Sequence, residues 1–178
     1  MIRVIFDSSS LITACKFTVD GIHVVKHLLN ACEIAIPASV RDEVVVAGGS
    51  FPDAMVAKEL IEAGKLLVLA SSIKGSRVLD KYNLGAGEKE CILLAEEQED
   101  KNRFDFVVVD DRLAFVVCSR IKLRVLLLLD LFVVLVEERR ISAQIAIKMV
   151  NAIAPRYGKG FIFHTLKMIE WGDRGCLR

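Results

Sequence analysis

Along the whole chain, short apolar runs alternate with longer stretches whose apolar residues recur three and four positions apart. Such alternation predicts strands and helices in turn. "VIF" at 4–6 reads as a buried first strand, stopped by Asp7 and three serines. "DGIHVVKHLLNA" has helical spacing, and "EIAIP" is a second short strand closed by Pro37. "ASVRDEVVVAGG" reads as a helix ended by Gly48 and Gly49, and "MVAKELIEAG" as another closed by Gly64. "KLLVLA" is a third strand. A weak helix near "SRVLDKYN" precedes "GAGEKECILLAEEQED", a helix that opens after glycines. "FDFVVVDD" is a fourth strand, "RLAFVVCSRI" its following helix, and "RVLLLL" a fifth strand. "LFVVLVEERRIS" and "AQIAIKMVNAIA" read as late helices, the second ended by Pro155. From Arg156 onward the pattern marks no clear element.

Strands that alternate with helices imply parallel βαβ units. Continuously apolar strands imply a sheet covered on both faces. The expected fold is therefore α/β, a three-layer α/β/α sandwich around a parallel, mostly five-stranded sheet. Ligands of such folds gather beyond the carboxyl ends of the strands. A length of 178 residues suits one domain spanning 1–178. Lys+Arg 24 against Asp+Glu 23 leaves a net charge of +1, so any nucleic-acid surface must be local.

Cys15, Cys32, Cys91, Cys118 and Cys176 are scattered, odd in number and without a CxxC pair. Reduced, mostly buried thiols in a cytoplasmic protein are expected from that pattern. Asp7 interrupts the first apolar run, which argues against a signal peptide. The densest apolar segment, "LRVLLLLDLFVVLVEERR", is shorter than the ~20 residues of a membrane helix and carries Asp130 inside it. Burial and self-association are expected of it, with Asp130 as a helix N-cap and Phe132 and Val133 on an assembly face.

The acids fall in a pattern. Asp7 follows strand one, and Asp110 and Asp111 follow strand four. These ends adjoin if strands one and four are neighbours. Glu43 lies in the helix after strand two, and at 100° per residue it falls beside Val40 and Ala47, on the inward side. In the "GEKEC" helix, Glu88 shares a face with Cys91, Ile92 and Ala95, whereas Glu90 lies round the side as the reserve acid. Two carboxylates about 5 Å apart repel by roughly 3 kcal/mol at an effective dielectric near 20. A hard divalent cation relieves that repulsion, and oxygen-only ligands suit Mg²⁺ or Mn²⁺. Metal held by carboxylates activates a water and stabilises the leaving oxygen in phosphodiester cleavage. Taken singly, an acid such as Glu43 or Glu88 is more often a helix cap, a solvated surface charge or a salt-bridge partner; the joint pattern at two strand ends and two inward helix faces is what carries the reading.

These same residues resemble the PIN-domain family of metal-dependent ribonucleases. "VIFDSSSLI" resembles its opening strand and acid, with a small hydroxyl residue, Ser9, two positions on. "IPASVRDEV" resembles its second segment and bears Glu43. "LGAGEKECILLA" follows the "GExEA"-like branch that carries Glu, and "VVVDDR" resembles the fourth strand with its terminal acid. Val109 stands where relatives more often have Thr or Ser, which leaves open whether Asp110 or Asp111 is the ligand. The resemblance covers about 1–140, with 141–178 as a helical C-terminal extension. It implies Mg²⁺ or Mn²⁺ held by Asp7, Glu88 and Asp110/Asp111 with Glu43 in the catalytic set, Ser9 orienting a water or ligand, and endonucleolytic cleavage of RNA. It also implies a possible antitoxin partner and a homodimer. Arg112, directly after the acid pair, is placed to meet a substrate phosphate.

Other chemistries fit less well. His23 and His27 are four apart but have no third ligand in view. "GAGEKE" lacks the lysine and hydroxyl of a P-loop, no GxGxxG follows strand one, and no GxSxG elbow appears. Ser9 stands where an aspartate-nucleophile phosphotransferase needs a second acid. A phospho-receiver domain needs its acid pair after strand one, not strand four. The reading of a different class is a non-catalytic PIN-like module that binds RNA or a protein.

Overall fold

A computed structural model describes residues 1–73, 75–99 and 103–173. Its centre is a five-stranded, fully parallel sheet in the order β5-β4-β1-β6-β7. The strands are β1 (Ile2–Phe6), β4 (Cys32–Pro37), β5 (Leu67–Leu69), β6 (Phe106–Val108) and β7 (Val125–Leu126). Val4, Ile5, Phe6, Ile34, Ala35 and Ile36 are completely buried, as a sheet covered on both faces requires. Helices flank it to complete a three-layer α/β/α sandwich, the expected fold class. They are α1 (Ser8–Lys16), α2 (Val24–Leu29), α3 (Ala38–Arg41), α4 (Pro52–Glu62), α5 (Ala86–Glu99), α6 (Arg112–Arg120), α7 (Leu128–Glu137), α8 (Ala143–Ile153) and α9 (Lys159–Asp173).

The expected adjacency of strands one and four is present as β1 beside β6. Phe6 pairs with Val108, and Asp7 N–H donates to the Val108 carbonyl at 3.1 Å. Both acids therefore emerge from neighbouring strand ends.

Several elements differ from the sequence pattern. The serine run after Asp7 forms α1, with Leu11, Ala14 and Cys15 buried at helical spacing. Serine is a poor helix former, but Asp7 caps the N-terminus and burial of one face does the rest. A two-stranded antiparallel hairpin, β2 (Thr18–Val19) and β3 (Ile22–His23), then precedes α2. Gly21 at φ +78° makes its tight turn. His23 thus ends a strand, and His27 reaches the Val19 carbonyl from α2. The helix expected near 76–83 is only a 3₁₀ turn, Leu79–Lys81. "RVLLLL" does not stay extended: β7 ends at Leu126 and α7 begins at Leu128.

Asp130 is not the N-cap of α7. It stands three residues beyond Leu127 and its carboxylate accepts the Leu127 N–H at 3.2 Å. Seven of the ten α7 residues are buried inside this one chain, among them Phe132 and Val133, at 0% and 8% exposure. α7, α8 and α9 pack on one another, which accounts for the apolar density without a partner. The described cysteines Cys15, Cys32, Cys91 and Cys118 are buried and unpaired, and burial pushes the thiols of Cys15, Cys32 and Cys118 up to about 12. Cys176 lies outside the described residues. Among the described residues, no helix is long and apolar enough to cross a membrane.

Candidate active site

The carboxyl end of β1, next to that of β6, opens onto a pocket of about 310 Å³. Asp7, Ser8, Ser9, Ile12, Glu43, Gly85, Glu88 and Arg156 line it. Three acids far apart in the chain therefore share one cavity.

Asp7 sits at its floor, 1% exposed. One carboxylate oxygen accepts the Ser10 N–H at 2.7 Å as the cap of α1, and the other accepts the Asp110 N–H at 3.2 Å. Burial outweighs those bonds and pushes the carboxyl up to about 6. Glu43 arrives from a π-helical turn, Asp42–Val46, that continues α3. Ala47 N–H bonds the Asp42 carbonyl five residues back, so the regular 100° phase does not hold through this turn. Ala47 is exposed rather than inward, while Val40 is buried. Glu43 itself is exposed, yet its carboxylate takes the Ser8 hydroxyl and, at 3.0 Å, the Gly87 N–H. A Cβ at Gly87 would lie 2.6 Å from Glu43 Oε2, so any side chain there would displace that carboxylate from its present place.

Glu88 stands in the first turn of α5 and reaches back to the Gly85 N–H at 2.7 Å, the reciprocal half of a helix cap. Its carboxyl is raised, first by burial and then by the nearby charges of Asp111 and Glu43. Glu90 goes elsewhere. It accepts the Ser39 N–H at 2.8 Å and lines a different cavity with Leu79, Ala86 and Lys89.

Asp110 and Asp111 have different environments. Asp111 caps α6 by accepting the Ala114 N–H at 2.8 Å. Asp110 accepts the Leu128 N–H at 3.0 Å and the Tyr157 hydroxyl at 2.5 Å. Burial raises the Asp110 carboxyl, opposed by the Tyr157 hydroxyl, the Leu128 N–H and the charge of Arg156. Neither residue is among those lining the pocket, although the Asp110 amide touches Asp7. Arg112 opens α6, is exposed, and does not line the pocket either.

Ser8, Arg156 and Tyr157 are the site residues that sequence reasoning missed. Arg156 ends a 3₁₀ turn, Ala154–Arg156, and donates to the Ser9 hydroxyl at 3.4 Å across 147 positions of chain. Tyr157 fastens the same turn to Asp110. Burial, then the Asp110 charge, pushes its phenol well above the usual range, so it stays a donor. Tyr157→Phe is expected to cost about 2 kcal/mol, because a hydrogen bond to a half-buried carboxylate is lost. Urea unfolding checks this, and a loss under ~0.5 kcal/mol would show that the tie is immaterial.

The donors fit a hard cation by type, since all are carboxylate or hydroxyl oxygens. As they stand, however, no three acidic, histidine or cysteine side chains among the described residues converge on one ion. Each acid occupies protein donors: Glu43 those of Ser8 and Gly87, Glu88 that of Gly85, Asp111 that of Ala114. Each carboxylate keeps lone pairs beyond those bonds, so the donors orient the acids around the pocket without blocking a cation.

A PIN-domain family model matches residues 3–162. The chain belongs to the PIN-domain family. PIN domains are generally nucleases and typically use divalent metals, and membership points to a nuclease-like or nucleic-acid-related function for this chain. The match takes in Arg156 and Tyr157 as well as the acids. A search of curated proteins and of solved structures returned no significant match.

Proposed function

We propose that this PIN domain is an endoribonuclease that cleaves RNA phosphodiester bonds with Mg²⁺ or Mn²⁺. The observation that carries the proposal is the convergence of Asp7, Glu43 and Glu88, from three separate elements, on one pocket at the end of the central strands. Asp7, Glu88 and the Asp110/Asp111 pair are assigned to hold the cation. When bound, it activates a water and stabilises the leaving oxygen. Asp7 supplies the least mobile ligand, since both its oxygens are already fixed by backbone amides. Glu43 sets the mouth of the pocket through Ser8 and Gly87. The Ser9 hydroxyl faces the pocket, where it orients a water or a substrate oxygen.

Family membership supports, as parts of the same proposal, the role of a toxin held by an antitoxin and a homodimer. Exposed Val46, Phe51 and Met55, close in sequence, are apolar surface suited to such a partner. A cytoplasmic location accords with the buried, unpaired cysteines. The test is incubation of the purified chain with end-labelled single-stranded RNA in Mn²⁺, in Mg²⁺ and in excess chelator. Internal cuts that need the metal are expected. Intact RNA in both metals, or cutting that chelator leaves unchanged, would overturn the proposal.

A further inference from the structure

We propose that Arg156 contacts a phosphate of the RNA strand at the mouth of the acidic pocket, and that the 3₁₀ turn Ala154–Arg156 is thereby part of the substrate site. This rests on the nuclease proposal above for the identity of the substrate. Among the described residues that line the pocket, Arg156 is the only basic one, facing three carboxylates. An anionic substrate must approach those carboxylates, and a guanidinium at the rim offsets the repulsion where it is greatest.

Arg156 is exposed, and its bond to the Ser9 hydroxyl is long at 3.4 Å. A phosphate oxygen makes a shorter, charge-assisted bond with the same donor, so the exchange is favourable. The turn that presents Arg156 is held on both sides. Pro155 restricts the backbone before it, and Tyr157 after it is tied to the Asp110 carboxylate and, through its N–H, to the Ala154 carbonyl at 3.1 Å. The guanidinium is thus kept beside the pocket by the residue that also holds Asp110. Lys65 carries the same charge, is exposed, and lines a separate cavity with Met1 and Cys32 at the opposite end of the strands, so it serves as the comparison.

The experiment measures binding of a labelled single-stranded oligouridylate of about ten nucleotides by anisotropy, in Mg²⁺, over a series of NaCl concentrations. Asp7→Asn is the background throughout, so that the RNA survives. Adding Arg156→Ala should lower the slope of log affinity against log salt by about 0.7, the value for one phosphate contact on a single strand. Arg156→Lys should restore the slope, and Lys65→Ala should change it much less. An unchanged slope in Arg156→Ala overturns the proposal, as does an equal fall in Lys65→Ala, which would make the effect one of bulk charge. Thermal unfolding of Arg156→Ala should match its parent; a lowered midpoint with an unchanged slope assigns Arg156 a structural role instead. Cleavage by the wild type, assayed in parallel, separates the two proposals. Metal-dependent cutting with no slope effect removes only the role of Arg156. A slope effect without cutting removes the nuclease and leaves an RNA-binding pocket. No binding of RNA at all overturns both.

Discussion

Asp7→Asn is expected to abolish metal-dependent RNA cleavage while making the metal-free protein more stable at neutral pH. The two effects share one cause. Asp7 is almost completely buried and its carboxyl is pushed up to about 6, because burial opposes its charge. The folded state therefore holds the Asp7 proton more tightly than the unfolded chain. Stability from this group is fully present below about pH 4, falls as pH rises to about 6, and is level above that. The loss is on the order of 3 kcal/mol at pH 7, from roughly two pH units at 1.36 kcal/mol each. Asn keeps the shape and removes the charge. Its oxygen still accepts the Ser10 N–H, but its amide nitrogen offers no acceptor to the Asp110 N–H. That mismatch takes back part of the gain, and a net stabilisation of about 1 kcal/mol remains. Urea unfolding of both proteins at pH 4 and pH 7 measures it. The variant should gain on the wild type between the two. A constant difference would mean that Asp7 does not titrate as its burial requires. Full cleavage by the purified variant would dispose of the metal-site proposal.

Glu88→Gln and Glu90→Gln form the second pair. Both are two residues apart on α5, and both cap a backbone amide that Gln also caps: Gly85 for Glu88 and Ser39 for Glu90. Stability should therefore change little in either. Activity should not change equally. Glu88 lines the acidic pocket and Glu90 lines another. Loss of a residue that only supports a metal ligand costs 10–100-fold. Loss of the Glu88 charge should cost about a hundredfold or more, and loss of the Glu90 charge less than about tenfold. Cleavage rates of the two variants, measured side by side, decide this. The reverse ranking would make Glu90 the functional acid.

Parts of this architecture are legible in the chain because they rest on short-range rules. Val4–Phe6 is apolar throughout and ends at an acid, so both the strand and its exit could be seen. The same holds for Val107 and Val108 before Asp110. Glu88 could be separated from Glu90 because α5 is a regular helix of 14 residues. Glu43 was harder. It does reach the pocket, but through a π turn that a constant helical phase does not describe, and Ala47 ended on the opposite side from the one expected. α1 was hidden because its serines carry no apolar period in the first turn; its stability comes from the Asp7 cap and from Leu11, Ala14 and Cys15. Arg156 and Tyr157 were invisible for a different reason. Their partners Ser9 and Asp110 are 147 and 47 positions away, and only the packing of the late helices brings them together. "PRYGKG" taken alone is an ordinary turn. Asp130 illustrates a smaller error of the same kind. A carboxylate after an apolar run has the pattern of an N-cap, whereas the helix begins earlier and the acid caps from its third position.

The central claim is that these carboxylates hold a divalent cation, and calorimetric titration of the purified chain with Mn²⁺ tests it most directly. The wild type and Glu90→Gln should both bind, and Asp7→Asn should lose at least about a hundredfold in affinity. No binding by the wild type, or equal binding by all three proteins, would contradict the account.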